Sequence, residues 1–190
     1  MSGIRVLAVS CLLALLGACA TPARVVPPSV HAEPYFVRTG KFALRVSEPY
    51  QADHAVQGGF VWQDENESLM LDLTSPLGAT LARISINEAG ALLRESNGKE
   101  TRAATAESLV QQVLGAPVPV SVLRHWVRGA PAPATAVEDV QQDAAGRMSS
   151  FTQEGWKVDL GQYDALGPTR LTAVRQHDTQ TFHLRLVMAP

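Results

Sequence analysis

Leu69-Met70-Leu71-Asp72-Leu73-Thr74-Ser75-Pro76-Leu77-Gly78-Ala79-Thr80-Leu81-Ala82-Arg83-Ile84-Ser85-Ile86 reads as a strand, a tight link and a second strand. Leu69, Leu71 and Leu73 alternate with Met70 and Asp72, the period of two expected of a strand with one buried face. In the link, Ser75-Pro76-Leu77-Gly78, a leucine stands between the two strongest turn formers. Proline presets φ for the second position of a turn and glycine accepts positive φ, which places Leu77 at the tip. Its side chain either projects into solvent or folds back onto its own hairpin, and the local chemistry leaves both open.

The same period extends in both directions. Phe42, Leu44 and Val46 alternate with Lys41, Ala43 and Arg45, and Phe60 and Trp62 share a face opposite Gln57 and Gln63. Further strands are expected at Ala91 to Arg94, Val137 to Gln141, Met148 to Gln153, Trp156 to Leu160, Thr169 to Arg175 and Phe182 to Met188. Glu65-Asn66-Glu67, Glu88-Ala89-Gly90, Ser96-Asn97-Gly98, Ala145-Gly146-Arg147, Glu154-Gly155 and His177-Asp178 supply the turns. About ten short strands at hairpin spacing imply an antiparallel meander that curls or closes to manage its edges. Gly58-Gly59 inside a strand predicts a bend or bulge where the curl is sharpest.

Two helical patterns interrupt the meander. In the first, Thr105 caps the opening turn, Glu107 complements the helix dipole, Leu109, Val110, Val113 and Leu114 form a stripe, and Gly115 with Pro117 ends it. The second, Val120 to Arg128, sets Val122, Leu123, Trp126 and Val127 on one face and Arg124, His125 and Arg128 toward the other. Each helix is apolar on one side only, and a helix pair midway through a meander is placed to cover one open end of it.

At the N-terminus, the apolar run Val6 to Leu16 follows the lone basic Arg5 and is too short to span a bilayer, which needs about 20 residues. With Leu16-Gly17-Ala18-Cys19 closing it, the segment resembles the bacterial lipoprotein signal. The resemblance implies that residues 1–18 are removed and that Cys19 carries a covalent N-acyl and S-diacylglycerol lipid. Ala20 after the cysteine implies delivery to the outer membrane, facing the periplasm. Residues 19–34, with four prolines from Ala20 to Pro34, read as an extended tether reaching some 40 Å, and His31 as a solvated linker residue. The domain itself is expected at 35–190.

Cys11 leaves with the signal, so no intramolecular disulfide is expected and stability must come from a core. The 172 remaining residues suffice for one domain. With Arg5 removed, 15 basic residues face 18 acidic ones, a balance that argues against nucleic acid. His54, His125, His177 and His183 are far apart, without His-x-x-x-His or Cys-x-x-Cys spacing, so no metal site is expected. With no Gly-x-Ser-x-Gly elbow or phosphate loop either, the sequence argues against an enzyme.

Several motifs together resemble one family. Gly40-Lys41-Phe42-Ala43, Phe60-Val61-Trp62-Gln63, Leu71-Asp72-Leu73-Thr74-Ser75-Pro76-Leu77-Gly78, Pro117-Val118-Pro119, Leu123-Arg124-His125-Trp126-Val127-Arg128-Gly129 and Gly155-Trp156-Lys157-Val158 are similar, in order, to the LolB outer-membrane lipoprotein receptors. The resemblance implies a mainly β fold: an open, unclosed antiparallel barrel of about eleven strands with a short helical lid around an apolar cavity. Phe42, Leu44, Val46, Phe60, Trp62, Leu71, Leu73, Leu123, Trp126, Phe182, Leu184 and Leu186 are the expected contributors to its lining, each of which serves equally as plain core.

By the same resemblance the chain acts as a lipoprotein-transport chaperone and needs no cofactor. It accepts triacylated lipoproteins from a soluble LolA-type periplasmic carrier and inserts them, as a monomer, into the inner leaflet of the outer membrane. Leu77 is then the protruding leucine that dips into that leaflet, on the loop Ser75, Pro76, Leu77 and Gly78. The alternative is a passive outer-membrane-anchored binding or scaffolding lipoprotein with a filled barrel and no transfer activity.

Overall fold

Buried and exposed side chains alternate along the long strands, and the alternation gives a curled sheet one apolar inner face. The structure, a computed structural model, describes residues 35–190 except Asn66. The signal segment 1–18, the tether 19–34 with Cys19 and His31, and Asn66 at the first expected turn lie outside the described residues.

The strands are β1 (Phe36–Ser47), β2 (His54–Glu65), β3 (Ser68–Thr74), β4 (Thr80–Asn87), β5 (Gly90–Glu95) and β6 (Glu100–Ala103), then β7 (Val137–Gln142), β8 (Met148–Gln153), β9 (Trp156–Asp164), β10 (Gly167–His177) and β11 (Gln180–Met188). Helices α1 (Ala106–Leu114) and α2 (Val120–Trp126) lie between β6 and β7. All eleven strands join one sheet in the order β6-β5-β4-β3-β2-β1-β11-β10-β9-β8-β7. Only β1 and β11 are neighbours without being consecutive; their antiparallel pairing, Gly40↔Met188 to Ser47↔Thr181, brings the two ends of the domain together mid-sheet. The unpaired edges are therefore β6 and β7, the strands that flank the helices, and the sheet stays open between them.

Ten of these strands coincide with runs expected from the sequence, including β7, all six of whose side chains are exposed; β6 does not. Its four residues, Glu-Thr-Arg-Ala, include no fully buried side chain. It is held by the ladder Ala91↔Ala103 to Arg94↔Glu100. Arg94 reinforces this, donating to one Glu100 carboxylate oxygen at 3.0 and 2.7 Å.

The first helix has the predicted ends. The Thr105 hydroxyl accepts from the Ser108 amide at 3.1 Å, and Gly115 closes the helix at φ 65°, its N–H donating to the Gln111 carbonyl. The second stops two residues short of the expected Arg128. The amides of Arg128 and Ala130 both turn back to the His125 carbonyl, at 3.0 and 3.2 Å, which tightens the chain out of the helix.

The pairing of β2 with β1 runs through Gly58 and Gly59 in register, so the expected bulge does not lie in β2 itself. A Cβ on Gly58 would lie 2.2 Å from the Thr74 carbonyl oxygen, and one on Gly59 2.4 Å from the Thr74 hydroxyl. Only glycines let β2 approach β3 this closely, and the β3–β4 register shifts beside them, between Leu73 and Thr74.

Candidate functional site

The inner face is filled on one side and hollow on the other. Beside β8, β9 and β11, Trp126, Phe151, Trp156 and Phe182 are each at most 2% exposed. Trp126 meets Phe151 edge-on with centroids 6.1 Å apart, and Trp156 tilts against Phe182 at 6.5 Å. Toward β1–β4, the inward side chains leave a cavity of about 90 Å³ with a wholly apolar wall.

Its floor and sides are Phe42 and Leu44 of β1, Phe60 and Trp62 of β2, Leu71 and Leu73 of β3, Ile84 of β4, and Leu184 and Leu186 of β11. Val110 and Leu114 of α1, Val118 of the link, and Val120 and Leu123 of α2 form the roof. Val46, Trp126 and Phe182 stand outside this wall. Val46 packs half-buried against the core, and the two rings belong to the filled half. A period of two tells which way a side chain points but not whether it meets space or another ring.

At about 90 Å³ the cavity falls well short of the roughly 300–1,000 Å³ of a ligand pocket. Across α1, however, lies an open groove of about 800 Å³ that also touches Leu81, Leu93, Leu109 and Val113. Leu73, Ile84, Val110 and Leu114 border both spaces, so α1 is the partition between them. The groove's lining is mixed, with Glu95, Ser96, Lys99, Thr101 and Gln112 beside the apolar residues.

The two helices are held differently. Asp64, 1% exposed at the end of β2, accepts from the guanidinium groups of Arg124 and Arg128 on and just after α2. Arg128 also lies over the Phe36 ring, 4.1 Å from its centroid. Burial, the largest single influence on Asp64, disfavours its charge, but hydrogen bonds and charge from the two arginines outweigh it and hold the carboxyl below its ordinary range. His125, partly desolvated and near the same arginines, is held below the usual imidazole value, so it is neutral near pH 7.

Behind them, Arg38 of β1 makes a bidentate pair with Asp164 of β9 at 2.6 and 2.7 Å. By contrast, α1 buries Ala106, Leu109 and Val110, leaves Val113 46% exposed, and is tied to α2 through Glu107, which accepts from the Ser121 amide at 2.7 Å and its hydroxyl at 2.6 Å.

Arg38, Asp64 and Gln153 are the site residues that hydrophobic pattern alone passes over. The signal for them is present, since each falls on the apolar phase of its strand: Phe36-Arg38, Trp62-Asp64 and Phe151-Gln153. A charge or amide in phase with buried rings requires a partner.

The link between β3 and β4 is a closed turn. The Gly78 amide donates to the Ser75 carbonyl at 2.9 Å, the Ser75 amide to the Ala79 carbonyl at 2.8 Å, and Gly78 takes φ 88°. Leu77 is 98% exposed at its tip, which settles its direction: it projects and does not fold back. Among the described residues no cluster of His, Cys, Asp or Glu could hold a metal ion, and no helix is long and apolar enough to cross a membrane.

The family model for the outer membrane lipoprotein LolB matches residues 35–189. An outer-membrane lipoprotein LolB from Bordetella petrii is 42% identical over 94% of this chain and 88% of its own length. One from Bordetella pertussis is 40% identical over 93% and 88%, and one from Cupriavidus metallidurans 36% over 92% and 90%. Among solved structures, a LolA superfamily protein from Nitrosomonas europaea aligns at TM-score 0.43 and 10% identity, over 80% of this chain and 84% of its own. By the span of the family match and the identity to its members, the chain belongs to the family of the outer-membrane lipoprotein LolB.

Proposed function

We propose that the domain takes the acyl chains of other lipoproteins from a soluble LolA-type carrier into a trough formed when α1 moves aside and joins the apolar cavity to the groove next to it, and delivers them to the inner leaflet of the outer membrane. In this reading residues 1–18 are a signal, Cys19 carries the lipid anchor, and 19–34 tether the domain to the membrane. The observation that supports it best is the wholly apolar cavity, roofed by a helix whose other side walls a wider groove of mixed lining.

The physical need is plain. A triacylated protein carries some 40 methylenes or more, and at about 0.8 kcal/mol each its bare chains stand tens of kcal/mol uphill in water. A trough lined by strand faces shields them without any nucleotide. Transfer runs downhill as each site holds the chains more tightly than the last, until the bilayer takes them. In this reading Leu77, exposed on a hydrogen-bonded turn, enters the acyl region at the moment of release.

The small volume of the cavity favours a second reading, a passive lipid-anchored scaffold whose barrel never widens. An acyl probe carrying a bromine quencher separates the two. Transfer predicts quenching of Trp62, which walls the cavity, by a probe of twelve to sixteen carbons. Unquenched fluorescence at saturating probe supports the scaffold.

A further inference from the structure

The base of the Leu77 turn overhangs a second groove, on the outer face of the sheet. It encloses about 470 Å³ between Ser75, Pro76 and Gly78 on one side and the outward faces of β1, β2 and β11 on the other. Its charged walls are Lys41 and Arg185. Lys41 pairs with Val187 and Ala43 with Arg185 across the β1–β11 ladder, so the two cations are diagonal neighbours on one face. Both are exposed, and among the described residues neither has an acidic partner. Arg170, opposite Val187 on β10, extends the positive strip. Asp72, which shares the face on β3, is already paired with Arg83 at 2.5 Å. Gln57, Thr74 and Ser75 add neutral polar groups. Gly59, opposite Lys41, leaves that part of the outer floor without a side chain.

We infer that this groove is a cradle for the phosphate groups of membrane glycerophospholipids, built beside the leucine that enters the acyl region. The inference rests on the insertion role proposed for Leu77 and names what that loop meets. With the Leu77 side chain at the top of the acyl layer, the base of its turn lies at the level of the phosphates, where Lys41 and Arg185 stand. Two unpaired cations lining a groove next to an apolar tip are the complement of a lipid surface, which offers anionic phosphate just above hydrocarbon. The acyl-glyceryl group of a client lipoprotein carries no phosphate. The cradle therefore engages the receiving bilayer and not the cargo, and holds the turn against the leaflet while the cargo leaves.

The test uses the full chain with Cys19→Ala, so that the anchor does not mask the contact, and measures sedimentation with vesicles. One arm is pure phosphatidylcholine; the other contains 30% phosphatidylglycerol. Lys41→Ala with Arg185→Ala should lower binding to the anionic vesicles by roughly 25-fold at low salt, at about fivefold per cation. Binding to the phosphatidylcholine vesicles, whose phosphate charge is offset by choline, should fall too but by less, and quenching by the brominated acyl probe should not change, which shows that the variant is folded. Equal binding of variant and wild type to anionic vesicles overturns the cradle while leaving Leu77 untouched. Sodium phosphate should release the wild type from anionic vesicles more than sodium chloride of equal ionic strength does; equal release by the two salts overturns recognition of the phosphate group. Leu77→Glu read in the neutral arm isolates the other premise: undiminished binding there removes the insertion role and the cradle with it.

Discussion

Trp126 on α2 donates its indole N–H to the side-chain carbonyl of Gln153 on β8 at 2.9 Å, and both residues are buried. The same oxygen accepts from the Ala132 amide at 2.9 Å, while the Gln153 amide donates to the carbonyls of Ala132 at 2.8 Å and Thr135 at 3.2 Å. One side chain thus fastens the second helix and the chain that leaves it to the filled half of the barrel.

Replacing it should be costly. Gln153→Leu keeps the volume but strands the Trp126 and Ala132 donors away from water, each at about 1–3 kcal/mol. We expect a loss of roughly 2–4 kcal/mol in urea unfolding. A change below 0.5 kcal/mol would show that the network does not hold the helix.

Asp64 sets an acid limit on stability. Its folded pKa lies below its unfolded value, so its contribution is complete above the unfolded value near 3.8 and drains away as the pH falls below it. Asp164, lowered chiefly by its hydrogen bonds from Arg38, acts in the same direction. Wild-type stability should therefore fall between about pH 4 and pH 2. Asp64→Asn should be less stable at pH 7 and lose less over that interval, because the group that titrates is gone. Parallel pH curves for the two proteins would contradict this assignment.

The unequal fastening of the helices has a dynamic consequence. α2 carries an ionic clasp, the Gln153 network and a fully buried Trp126, whereas α1 buries one stripe and is linked to α2 through Glu107. Amides of residues 109–115 should exchange with deuterium at least tenfold faster than those of 123–127. Glu107→Ala should widen the gap. Equal protection across both helices would mean that they open together or not at all.

Much of this architecture is legible in the residues. Alternation in Phe42-Leu44-Val46 or Leu69-Leu71-Leu73 is imposed by the pleat, and caps such as Thr105 and Gly115 by the groups a helix leaves unpaired, so both are written locally. β6 was hidden because the ladder to β5 holds it without an apolar face. The extent of the hollow was hidden for a different reason: Phe182 and Leu184 sit on the same strand face, yet one fits against Trp156 and the other borders space. That distinction depends on how rings from distant strands stack, and no local period encodes it. Arg124 and Arg128, expected on the outward side of α2, instead reach the buried Asp64, a contact 60 and 64 residues away in sequence.

Leu77 offers a clean separation of fold from release. Since its side chain is 98% exposed, Leu77→Glu should change unfolding free energy by less than about 0.5 kcal/mol. A carboxylate is costly in the acyl region, so insertion of a client into liposomes should drop at least tenfold while uptake stays intact. Equal insertion by the two proteins would remove Leu77 from the release step.

The central claim is that the trough under α1 receives another protein's acyl chains. Its most direct test is to mix a purified carrier loaded with a triacylated lipoprotein with the Cys19→Ala form of this chain and separate the products by size. We predict that the lipoprotein leaves the carrier and elutes with this chain in a one-to-one complex. A lipoprotein that stays wholly on its carrier, with this chain folded and in excess, would contradict the account.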